Sequence, residues 1–174
     1  MKKQFLFLLF FGLLFTASAQ VDDENGFLVK VGDQAPDFFA KLTDGRSFQL
    51  SDHRGKVVMM QFTASWCGVC RREMPYIEKD IWQKLKNKNF VLVGVDRDEP
   101  LDVVLSYQKQ MEISYPMALD PQAEIFGLYA DLQAGVTRNI IIDEKGKIIY
   151  LSRLFDLDEF KTMTEVIFKA VSKL

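Results

Sequence analysis

Residues 56–75 read KVVMMQFTASWCGVCRREMP, and the order of residue types along them decides the fold. Lys56 to Phe62 opens on a lysine and is from there an apolar run broken only by Gln61, as expected of a strand covered on both faces. From Cys67 the composition turns helical and stays so to about Asn89. Pro75 falls inside that helix and predicts a kink near its second turn, because proline supplies no N–H and crowds the preceding carbonyls. The chain's two cysteines, Cys67 and Cys70, therefore sit at a strand-to-helix junction.

Two cysteines so close make a poor structural staple. Loop closure is worth about 2 kcal/mol for a four-residue loop against about 5 for a hundred-residue one. If the helix begins at or just before Cys67, that sulfur lies at the first turn, where unpaired N–H groups and the helix dipole favour a thiolate. Cys70 falls on the same helical face, about 5–6 Å away between Cα atoms, within disulfide reach. Cys67 reads as the attacking sulfur and Cys70 as the one that resolves a mixed disulfide.

Other uses of the pair fare worse. Structural zinc wants four ligands and catalytic zinc three plus water, and the chain adds only one distant histidine, His53, to its two cysteines. No metal and no cofactor are expected. A Cys-His hydrolase would need His53 beside Cys67, whereas His53 lies in SDHRGK, a polar turn ahead of the strand. An inert structural disulfide gains little from so short a loop. Arg71 and Arg72 add positive potential but read chiefly as solvated surface.

Outward from this centre, "PDFFAKLTDGRSFQLSD" reads as a hairpin around Asp44-Gly45, and "FVLVGV" at 90–95 as a second buried strand. Leu101, Val104, Leu105 and Met111 recur at helical spacing, and a short helix is expected from Pro121 to Tyr129. "RNIIID" and "KIIYLS" flank "EKG" as another hairpin. Phe160, Met163, Ile167, Ala170, Val171 and Leu174 line one face of a closing helix. Strands alternating with helices argue for an α/β domain with a central sheet between helices and an antiparallel pair at its end. The acidic stretch "DRDEPLD" at 96–102 reads as a solvated turn.

The ends and the charge set the compartment and the partners. Lys2 and Lys3, the eleven-residue apolar run Phe5 to Phe15 and Ala17-Ser18-Ala19 form a secretory signal with cleavage expected after Ala19. An exported, periplasmic protein follows, with membrane attachment only if that segment is retained uncleaved. Residues 20–30 read as a flexible lead-in and 31–174 as one domain, for which 48% hydrophobic residues suffice to build a core. Loss of Lys2 and Lys3 from the 22 basic residues leaves 20 against 24 acidic, a net of −4, which excludes a nucleic-acid partner. A two-cysteine pair exported to an oxidising compartment can cycle.

"KVVMMQFTASWCGVCRREMP" resembles the active-site strand and helix of the thioredoxin superfamily, in particular the exported TlpA/ResA-like thiol-disulfide oxidoreductases. "VGDQAPDFFAKLTDGRSFQLSDHRGK" resembles that family's N-terminal β-hairpin. "VLVGVDRDE" through "YPMALDPQAEIFGLY" resembles its extra strand-helix insertion, and "GVTRNIIIDEKGKIIY" the hairpin facing the active site. The resemblance implies a thioredoxin-like fold with a central mixed sheet, Cys67 as nucleophile, Cys70 as resolving thiol and Trp66 as a flat wall beside them. It implies Glu73 as the acid that tunes the thiols, while position alone allows a plain surface glutamate. Protein disulfides and a separate redox protein that recharges the pair are the implied partners.

The chain departs from the family at several positions. Thr137 stands where the family has a cis-proline, and a trans Val136–Thr137 bond is expected because a cis bond before a non-proline residue costs about 2.5–4 kcal/mol. Val136 is the residue that pairs with bound peptide in the family, so Val136 and Thr137 form the implied substrate-binding segment. Gln61 replaces the buried acid of thioredoxins proper, Thr63 a second tryptophan, and Gly68-Val69 lacks the proline common before the second cysteine. The peroxiredoxins, related in fold, carry a threonine three residues before their cysteine and a proline further upstream; Ala64 and Met60 occupy those places here. A thiol peroxidase and a non-catalytic binding protein of the same fold are the alternatives to a thiol-disulfide oxidoreductase.

Overall fold

The computed structural model describes residues 25–174, so the expected signal and cleavage site lie outside the described residues. Strands β1 (Phe39–Leu42) and β2 (Ser47–Gln49) form the first hairpin, with Gly45 at φ +86° closing its turn. Then follow β3 (Val57–Thr63), α1 (Gly68–Tyr76), a π-helical stretch (Ile77–Trp82) and α2 (Gln83–Leu85), the last three forming one continuous helical rod. β4 (Phe90–Arg97), α3 (Leu101–Gln110), β5 (Met117–Asp120) and α4 (Glu124–Tyr129) come next. β6 (Arg138–Ile142), β7 (Ile148–Arg153) and α5 (Leu157–Val171) complete the chain.

The seven strands form one mixed sheet in the order β2-β1-β5-β4-β3-β6-β7. β4 runs parallel to β3 and to β5, as helical crossovers require, while β6 lies antiparallel on the other side of β3. Every residue of β3 is buried. Its alternate side chains Val58, Met60 and Phe62 join Phe126, Tyr129 and Ile140 in one core layer. Val57 and Met59 join Met74, Ile77, Phe160 and Met163 in the other. Burying each such side chain is worth about 1.5–3 kcal/mol, and this central strand thereby ties both layers to the sheet.

The structure corrects several expectations. Periodicity missed β5, because MALD between two prolines and a turn is too short to show a period; the resemblance supplied that strand. Pro75 lies inside α1, as the sequence predicts; it lacks an N–H to give Arg71, and the rod changes to the π stretch two residues later. On α3 the buried face is Val104 and Tyr107, while Leu101 and Leu105 are exposed. The end of the expected lead-in is packed: Phe27 is buried, bridges to Ala130 and lies under the Arg138 guanidinium. Leu174, placed on the closing face, lies beyond α5 and is exposed. Among the described residues no helix is long and apolar enough to cross a membrane.

Candidate active site

β3 ends at Thr63, and four residues later Cys67 takes the N-cap position of α1 with extended backbone angles. Its Sγ accepts the Cys70 N–H at 3.1 Å, so one of the unpaired amides of the first turn points at this sulfur. Cys67 and Cys70 form a disulfide with Cα atoms 5.3 Å apart. Cys67 is 7% exposed and Cys70 not at all, which leaves Cys67 as the sulfur nearer to solvent. Trp66 beside it is 62% exposed.

The antiparallel register between β3 and β6 brings the facing segment to the pair. Phe62 lies opposite Arg138, so Thr137, the residue before β6, comes up where the chain leaves β3 for the cysteines. Thr137 Oγ1 lies 3.1 Å from Cys67 Sγ and 3.2 Å from Cys70 Sγ. No cis peptide bond occurs among the described residues, in line with the trans Val136–Thr137 bond expected. The Thr137 carbonyl accepts the Leu154 N–H at 3.1 Å, and the Val136 side chain is buried.

Glu73 is not a surface residue: it is 2% exposed on the inner face of α1. Asn139 Nδ2 donates to its Oε1 at 2.6 Å and Gln61 Nε2 to its Oε2 at 3.2 Å. These two donors are direct register partners across β3 and β6. Tyr115 donates its hydroxyl proton to Gln61 Oε1 at 2.7 Å and so fixes the orientation of that amide. Burial pushes the Glu73 carboxyl up to about 7, against the opposing pull of the two amide donors.

A second buried acid group lies at the end of β4. Asp96 is fully buried opposite Thr63, and neither of its carboxyl oxygens receives a donor among the described residues. Burial, reinforced by Glu99, Asp120 and Asp98, raises it to about 8, so it is largely protonated at neutral pH and can itself donate. Glu99 accepts the Ser65 N–H and the Ser65 hydroxyl, each at 2.6 Å. The loop between β3 and Cys67 is thus clamped from β4, and DRDEPLD is no simple solvated turn. Arg71 clamps the same loop from the helix side, donating to the Ser65 carbonyl at 2.7 Å with its guanidinium over the Tyr107 ring. Arg72 donates to the Gly68 carbonyl at 3.3 Å, a bond exposed to solvent.

Cys67, Cys70, Trp66, Glu73, Val136 and Thr137 therefore gather at one end of the sheet. Asn139, Tyr115, Ser65, Asp96 and Glu99 were missed as neighbours of the site. Asn139 carried a readable signal: two residues after Thr137 and just ahead of three isoleucines, it shares Thr137's face. His53 precedes β3 and is removed from the cysteines by the length of that strand, about 20 Å. Among the described residues no three His, Cys, Asp or Glu side chains are grouped to hold a metal ion.

Similar proteins agree with this geometry. The Redoxin family model matches residues 30–167. The thiol-disulfide oxidoreductase ResA of a Bacillus cereus strain is 31% identical over 121 residues, 70% of this chain and 68% of that protein. ResA of Geobacillus thermodenitrificans is 30% identical over 148 residues, 85% of this chain and 83% of its own. A solution structure described as a putative protein disulfide isomerase from Bacteroides thetaiotaomicron shares 53% identity at TM-score 0.82, covering 84% of this chain and 93% of that one. Together with the paired cysteines at the strand-to-helix junction, these matches establish that the chain belongs to the redoxin family of the thioredoxin superfamily, as a ResA/TlpA-like thiol-disulfide oxidoreductase.

Proposed function

We propose that this is an exported enzyme that reduces disulfides in protein partners, with Cys67 as nucleophile and Cys70 as resolving thiol. The observation that carries the reading is the seat of the pair: Cys67 Sγ caps α1 and accepts the Cys70 N–H, while Cys70 is sealed from solvent. An amide pointing at a sulfur lowers the cost of charge there, and the more exposed sulfur is the one that a partner disulfide can reach.

In the first step the Cys67 thiolate attacks one sulfur of a partner disulfide. A Cys67–partner bond forms, the partner's S–S bond breaks, and its second sulfur leaves as a thiolate. Cys70, having given up its proton, then attacks Cys67 Sγ, which closes the Cys67–Cys70 disulfide and releases the partner as a dithiol. A separate dithiol protein must return two electrons before the next turnover. No cofactor enters these steps.

Val136 supports an extended partner segment docking beside the sulfurs: among the described residues no backbone–backbone hydrogen bond outside the strand ladders engages its amide or carbonyl, while the next carbonyl is taken by Leu154. Glu73, buried behind the pair, is the group that would tune it. Export rests on Lys2, Lys3, the apolar run and the small-residue site after it. The substrate test is reduction of a model protein disulfide by purified protein. Cys67→Ser should abolish turnover and Cys70→Ser should accumulate a mixed disulfide; undiminished turnover by Cys67→Ser would refute the assignment. Reductant and oxidant are separated by the reduction potential of the pair, a value close to about −120 mV marking an oxidant.

A further inference from the structure

Thr137 is 3% exposed, and the partners of its hydroxyl are the two sulfurs of the disulfide. A buried hydroxyl has a proton that must be donated somewhere. A disulfide sulfur is a neutral, weak acceptor, whereas a thiolate forms a charge-assisted bond of about twice the strength. The same contact therefore gains value when the disulfide opens. We infer that the Thr137 hydroxyl is a catalytic group that holds the negative charge on Cys67 and the proton on Cys70, and so raises the reduction potential of the pair.

The geometry suits this division of charge. A hydroxyl donates once and accepts through its lone pairs. In the reduced protein Thr137 donates to the Cys67 thiolate while the Cys70 thiol donates to Thr137 Oγ1, a directed chain that needs no backbone movement. Cys67 also keeps the Cys70 N–H. Thr137 cannot drift, because its carbonyl is bonded to Leu154 and the next residue is in register with Phe62. The reaction balances. A dithiol partner gives two electrons and leaves as a disulfide, Cys67 keeps a negative charge, Cys70 takes one proton, and the second proton passes to solvent.

This inference rests on Cys67 as the attacking sulfur, but its test does not need turnover. Thiolate absorbance in the ultraviolet is titrated in the reduced Cys70→Ser background, so that only Cys67 reports. Thr137→Val removes the hydroxyl at nearly constant volume, and the acid constant of Cys67 should fall about ten- to a hundred-fold. At a pH above both values, the potential of the intact pair should fall by about 30 mV for each tenfold. Thr137→Ser, which keeps the hydroxyl, should stay close to the wild type in both measurements. Thr137→Ala, checked by circular dichroism, replaces the valine variant if that one fails to fold. A folded Thr137→Val or Thr137→Ala protein whose Cys67 titrates like the wild type overturns the inference. Turnover by Cys67→Ser would instead overturn the assignment of the nucleophile.

Discussion

At the scale of single residues, the site depends on side chains that are polar where the core around them is apolar. Along the inner face of β3 the residues run Val57, Met59, Gln61, Thr63, changing from apolar to polar as the strand approaches the cysteines. Opposite them β6 and its approach supply Thr137, Asn139 and Ile141. Glu73 is held between Gln61 and Asn139, both of which donate to it. Its folded-state pKa, about 7, lies above the ordinary 4.5, so burial disfavours the ionised form. The associated stability is complete below about pH 4.5 and is lost as pH rises through 7. Glu73→Gln removes this titration. The variant's stability relative to wild type should therefore become more favourable from about pH 4.5 to 8, by no more than about 3 kcal/mol, measured by urea denaturation of the oxidised proteins. At low pH the same substitution should be costly, because a glutamine N–H₂ would face one of two amide donors.

At the scale of elements, the loop from Ala64 to Trp66 is held from two sides: Glu99 takes the Ser65 N–H and hydroxyl, and Arg71 takes the Ser65 carbonyl. A loop pinned in this way presents the start of α1 at a fixed angle to the sheet. Glu99→Ala removes a charged acceptor from two donors and should cost about 2 kcal/mol in urea denaturation at about pH 6, where Asp96 is still protonated. The elements were largely legible in the sequence because their signals are local: the apolar runs of β3 and β4, Asp44-Gly45 in the first turn, and the period of α5. The clamps were not legible. Asp96 and Glu99 look like any acidic turn until β4 is laid beside β3, with Asp96 opposite Thr63. Arg71 looks like surface until Tyr107, from a separate helix, comes under its guanidinium. Likewise the sequence placed Thr137 beside the cysteines by resemblance, but its contact with both sulfurs depends on the pairing of segments 70 residues apart. Long-range pairing is what a one-dimensional period does not carry.

At the scale of the whole molecule, the buried acids set an unusual direction for the pH dependence. Glu73, Asp96 and Asp120 all have raised values, each chiefly through burial. Between about pH 4 and 8 the folded protein therefore binds more protons at these positions than the unfolded chain, and the slope of stability against pH is negative. Asp37, which accepts the Gln49 side-chain amide and the Ser51 N–H, is lowered and opposes the trend as pH falls through the carboxylate range. The oxidised protein should show a higher urea midpoint at about pH 5.5 than at about pH 8.5. A midpoint that rises with pH would show that these carboxyls ionise freely in the folded state.

The pairing of β6 on β3 acts as a ruler for the chemistry. Gln61 faces Asn139 and Phe62 faces Arg138, and from these two rungs follow both the cradle of Glu73 and the arrival of Thr137 at the sulfurs. Sliding β6 by one residue would turn every side chain to the opposite face. With Val136 in the place of Thr137, its isopropyl group would meet the disulfide, and Arg138 would stand where the amide of Asn139 donates to the acid. Proton holder and sulfur pair are thus assembled or lost together, so the alignment of one hairpin makes this reactive end a single all-or-none object.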